Sequence, residues 1–113
     1  MGIDFSHCGA HWAYSGFMRF RTRLAETIGI DYVMMAGLGG RRSWETIKDP
    51  IVPLLNHSDC DGELSPDECR AIAPRLRELV STWPEDDSDR LKAIELANGM
   101  DDAALSNEPL VFR

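Results

Sequence analysis

The run Ser65-Pro66-Asp67-Glu68 dictates a helix start more firmly than any other stretch of this chain. A serine hydroxyl can accept from the amide three residues on, and a glutamate there can reach back to the serine amide. Proline suits the first helical position, where its missing N–H would have had no partner. Behind this start Cys69, Ile72, Ala73, Leu76, Leu79, Val80 and Trp83 recur three or four apart, the spacing of one buried helix face. Pro74 interrupts the stripe, so a kink or two short helices meeting there is expected. The residues ahead of Ser65 are "NHSDCDGEL", so the helix is entered through an acidic turn carrying one glycine.

The rest of the chain is organised around similar signals. From Ala10 to about Ile28 the residues Ala13, Phe17, Phe20, Leu24 and Ile28 predict a second amphipathic helix. Arg19, Arg21 and Arg23 fall off that stripe and read as a solvated face. Residues 29–50 are glycine-punctuated without a clear period and predict a loop. Within it a short helical piece is expected around Tyr32–Met35, and a turn capped by Ser43. "IVPLLN" is one helical turn or an extended run, and Asp87 or Ser88 caps a last helix reaching about Leu105, with Gly99 loosening its middle. "GIDFS" and "PLVF" are short and β-prone, and could pair. The expected fold is a mainly α single domain, 1–113, with one loop-helix of special form and a short two-stranded terminal β pairing.

At 113 residues the chain is long enough for one core. No window approaches the apolar length of a membrane span, and the opening "MGIDFSHCGAHW" lacks a basic stretch followed by an apolar run, so a secretory signal is not expected. "MGIDFS" fits the sparse myristoylation pattern, which is short and often accidental. Three cysteines without framework spacing suggest reduced thiols in a cytoplasmic protein. Residues 1–50 carry six Lys/Arg against five Asp/Glu, whereas residues 51–113 carry six against fourteen. Such an acidic half argues against nucleic acid as the main partner and suits cation binding or solubility.

With Gly62 as the sharp-turn residue, a twelve-place loop runs from His57 to Glu68. Asp59 and Asp61 take places three and five, Glu63 seven, Leu64 eight, Ser65 nine and Glu68 twelve. This pattern resembles the EF-hand calcium loop over about 25 residues, counting the following helix. The resemblance implies carboxylate oxygens from Asp59, Asp61 and Glu68, a backbone carbonyl from Glu63, and a water-mediated contact from Ser65. The first place departs from it: His57 stands where the family has aspartate, and imidazole is a poor ligand for calcium. Asn56 could supply an oxygen one residue earlier. No second loop follows, because "PEDDSD" lacks the glycine and terminal glutamate. Against the metal reading, Ser65, Gly62 and the capping box explain the same residues as a helix start. The stretches "DFSHCGAHWAYSGFMRFRTRLA" and "LLNHSDCDGELSPDECRAIAPRLRELV" also resemble those of small proteins of actinobacteria and their phages, which implies a cytosolic setting and no particular activity.

Other groupings compete. Cys8 with His11, and His57 with Cys60, have spacings that suit tetrahedral zinc if the fold unites them. His7 completes the first group, and Cys69 on the apolar stripe reads as core. A small enzyme built on a Cys8–His nucleophilic pair has no third orienting group nearby. "GLGGRR" (37–42) offers amides and arginines to an anion but is no phosphate-loop pattern, and a flexible surface loop is the simpler reading. Trp12, Trp44 and Trp83 are many for this length, and one is expected exposed in a docking surface. The expectation is thus a small non-catalytic binding or regulatory module that docks another protein, with no membrane and an acidic loop able to take calcium weakly. The alternative is a zinc protein or small enzyme using His7, Cys8, His11, His57 and Cys60.

Overall fold

A computed structural model describes residues 2–58 and 61–113. Four α-helices dominate it: α1 (Tyr14–Thr27), the single turn α2 (Val52–Leu55), α3 (Pro66–Val80) and α4 (Ser88–Leu105). Four two-residue strands form two antiparallel pairs. β1 (Ile3–Asp4) lies on β2 (His11–Trp12), and β3 (Glu63–Leu64) lies on β4 (Leu110–Val111).

The main packing is α3 against α4. α3 buries the expected stripe, from Cys69 and Ile72 through Leu76 to Val80. Its partner α4 buries largely small residues, Ala93, Ala97, Gly99, Ala103 and Ala104, beside Leu96 and Met100. Small side chains let the two backbones approach closely, so a helix with little amphipathic contrast can still be buried along one side. α3 continues across Pro74 as one helix rather than breaking into two. Pro74 is on the exposed side, where water can take the Arg70 carbonyl that the ring leaves without an amide.

α1 begins at Tyr14, later than the periodicity suggests, because His11 and Trp12 are taken by β2. Phe17, Phe20 and Leu24 are fully buried. Phe17 and Phe20 join Phe5, Trp12 and Phe112 in one aromatic cluster whose contacting ring centroids lie 4.6–6.4 Å apart. The terminal pairing is present in a modified form. Phe5 bridges Phe112, the Ser6 amide donates to the Val111 carbonyl at 2.9 Å, and the Arg113 amide donates to the Asp4 carbonyl at 2.8 Å. The remaining pairing capacity of each end goes elsewhere, β1 to β2 and β4 to β3.

Two expectations about side chains are corrected. None of the three tryptophans is exposed: Trp12, Trp44 and Trp83 are all buried. Each indole N–H has a partner, in Asp89 Oδ1, the Ala36 carbonyl and Thr27 Oγ1 respectively, which is what makes burial of the polar edge tolerable. The arginines of α1 are not one solvated face either. Arg23 lies over the Trp83 ring at 3.8 Å and donates to Asp87 and Asp89 at 3.1 Å, tying α1 to the start of α4. Arg21 is only 3% exposed. No helix among the described residues is long and apolar enough to cross a membrane.

Candidate loop-helix site

The helix start behaves as its residues require. Ser65 Oγ accepts from the Glu68 amide at 3.1 Å and Glu68 Oε1 accepts from the Ser65 amide at 2.9 Å, closing both halves of the capping box. Gly62 has φ +90°, in the left-handed region where a Cβ is strained. A side chain there would also meet the His57 ring at 3.0 Å. Leu64 is buried on β3, and Cys69 is core with its thiol pushed up by burial.

His57 has the most informative position. Its ring stacks on Phe112, with centroids 3.9 Å apart and planes 27° from parallel. Nε2 reaches the Glu63 carbonyl at 3.0 Å and Nδ1 reaches the Ser58 carbonyl at 2.9 Å. The seventh-place carbonyl therefore turns back toward the first-place side chain, across the loop. The carbonyl of His57 itself accepts from Arg21 Nη1 at 2.5 Å. That guanidinium lies 4.5 Å from the centre of the Phe17 ring and 5.9 Å from that of Tyr32, so a permanent cation sits in the core directly under the first loop place. The sequence pattern puts Arg21 on a solvated face with Arg19 and Arg23, but it is buried.

Of the proposed metal ligands, Asp61 and Glu63 are exposed, Ser65, Glu68 and His57 are half-buried, and Asp59 lies outside the described residues, as does Cys60. Among the described residues no group of three or more His, Cys, Asp or Glu side chains is arranged to hold a metal ion. A divalent cation would have to compete with His57 for the Glu63 carbonyl and with the capping box for Glu68.

The described members of the histidine–cysteine groups diverge. His7 Nε2 meets Glu108 at 3.2 Å, Cys8 packs against α4 at Gly99, and His11 Nδ1 meets Asp4 Oδ1 at 2.8 Å. The Cys8 thiol is pushed up, first by burial and then by Glu95 and Asp102, which works against a reactive thiolate. The 37–42 loop is held by backbone hydrogen bonds, among them Ala36 amide to Arg42 carbonyl at 2.8 Å and Arg42 amide to Met34 carbonyl at 3.0 Å. Comparison of the chain with protein-family models, with curated proteins and with solved structures returns no match.

Proposed function

We propose that this chain is a small non-catalytic binding module of the cytoplasm whose loop His57–Glu68 takes calcium weakly. The ligands would be Asp59, Asp61, the Glu63 carbonyl and Glu68, with Ser65 acting through water. The observation that supports this reading is the Glu63 carbonyl, turned toward the His57 side chain just after a glycine at φ +90°. The occupied positions of His57 and Glu68 keep the affinity at the weak end of the range for such loops.

Calcium binding to the folded state raises its stability by mass action. For a dissociation constant of about 1 mM, 10 mM calcium contributes about 1.4 kcal/mol, or roughly 4–8 °C in Tm for a domain of this size. Differential scanning calorimetry in calcium and in chelator measures it. His57→Asp adds the missing carboxylate and enlarges the response. Glu68→Gln removes most of it while glutamine still serves the capping box. Equal melting temperatures in calcium and chelator, for wild type and His57→Asp alike, would show the loop to be structural only.

A further inference from the structure

Val33 and Met34 are 53% and 56% exposed, side by side on a 3₁₀ turn, Tyr32–Met34. The following loop folds back on that turn so tightly that a Cβ on Gly40 would lie 2.0 Å from the Met34 carbonyl oxygen. Exposed Arg41 and Arg42 end the loop, and no acid occurs between Tyr32 and Trp44. The result is a backbone-fixed apolar pair with a basic rim. Met34 is well suited to such a place because its unbranched, polarisable side chain fits irregular grooves.

The opposite combination occurs at the end of α4. Leu105 is 86% exposed, the most of any large apolar side chain among the described residues. Asp102, one turn before it, and Glu108, whose amide donates a hydrogen bond to the Ala103 carbonyl at 2.9 Å and whose carboxylate also meets His7 Nε2 at 3.2 Å, are exposed acids. Residues 93–112 contain four acids and no Lys or Arg. The neighbouring arginines are engaged within the chain, Arg77 with Asp101 at 2.5 Å and Arg70 with Asp67 at 2.5 Å. Beside Leu105 runs an open groove of about 540 Å³ lined by Arg70, Asp101, Ala104 and Leu105.

We infer that these two surfaces are complementary halves of a head-to-tail contact between copies of this chain. Met34 of one copy enters the groove at Leu105 of the next, and Arg41 faces Asp102 and Glu108. The two patches are different surfaces, so the contact is heterologous and each copy keeps one free half, giving open oligomers rather than closed dimers. This inference is independent of the calcium loop.

Sedimentation velocity on the full chain tests it. The weight-average mass of the wild type should rise with concentration and fall as salt screens the charged rim. Met34→Glu and Leu105→Glu, both at exposed positions and checked for folding by circular dichroism, should each weaken association about tenfold or more. An equimolar mixture of the two variants retains one intact platform and one intact groove. It should give heterodimers and nothing larger. A wild type that stays monomeric at millimolar concentration in low salt overturns the inference. So does association that neither substitution weakens, or a mixture that remains monomeric.

Discussion

Gly99 lies in the middle of α4, where its intrinsic cost relative to alanine is about 0.8–1.0 kcal/mol. By propensity alone Gly99→Ala should stabilise the chain. The packing reverses the sign. A Cβ at this position would lie 2.7 Å from Cys8 Cβ, 3.0 Å from Cys8 Sγ and 3.3 Å from the His7 carbonyl. The first distance is about 1 Å short of an ordinary carbon–carbon contact, and the obstructing atom is attached directly to the backbone, so it cannot swing aside. Overpacking of this kind costs about 1–3 kcal/mol. The net expectation is a loss of about 0–2 kcal/mol instead of the gain that propensity alone predicts, a Tm lower by up to roughly 12 °C in thermal unfolding. Gly16 in α1 is the control, because a Cβ there meets Arg19 and Trp12 only at 3.7 Å. Gly16→Ala should therefore hold or raise the Tm. Removing the obstructing atom by Cys8→Gly should make Gly99→Ala less harmful in the double variant than in the single one. If Gly99→Ala stabilises as much as Gly16→Ala, the close approach of the 7–8 segment to α4 is wrong.

Arg21→Ala removes a buried guanidinium from between Phe17 and the His57 carbonyl, and should cost about 2–4 kcal/mol in urea unfolding. Arg21→Met should recover part of that loss through packing; if it recovers nothing, the charge rather than the volume is what the core requires. Asp87 is held below the usual carboxylate range chiefly by its hydrogen bond from Arg23, so its folded-state pKa is lower than its unfolded one. The stabilisation is therefore complete above the unfolded value and is lost as pH falls through the folded value. Asp87→Asn keeps a cap for α4 while removing the charge, and should flatten the acid limb of the stability–pH curve below about pH 4. An unchanged acid limb would remove the Arg23–Asp87 pair from the acid response.

The helix starts were the most legible part of the sequence, because capping is a local interaction. Ser65 with Glu68, Asp87 and Ser43 each cap where their residue types predict. What sequence reasoning could not see was set by distant contacts. The short β-prone ends chose partners by the aromatic cluster beneath them, which joins residues 5, 17 and 112. Gly99 reads as a weakness in a helix until Cys8 is known to lie against it. The burial of Arg21 was legible, although the residue reads with Arg19 and Arg23 as one solvated face. On a helix, residues two apart point about 200° from one another, so Arg19 and Arg23 share a side while Arg21 faces the opposite one. That opposite side carries Phe17 and Leu24, four residues before it and three after. The acidic loop was legible as a turn, whereas the role of His57 depended on Phe112, 55 positions further along.

The pairing of Phe112 with Phe5 and His57 also sets an order of events during folding. α3 and α4 are joined by a short turn and can dock early, since closing a short connection is fast. The loop at 57–64 borders α3 in sequence, yet its neighbouring strand and the ring under His57 come from residues 110–112. The Phe5–Phe112 bridge closes nearly the whole length of the chain, and the entropy of that closure is met only once the aromatic cluster is ready to receive it. His57 and the Glu63–Leu64 strand are therefore expected to reach their final arrangement late, after the helices, in the step that brings the two strand-bearing ends together.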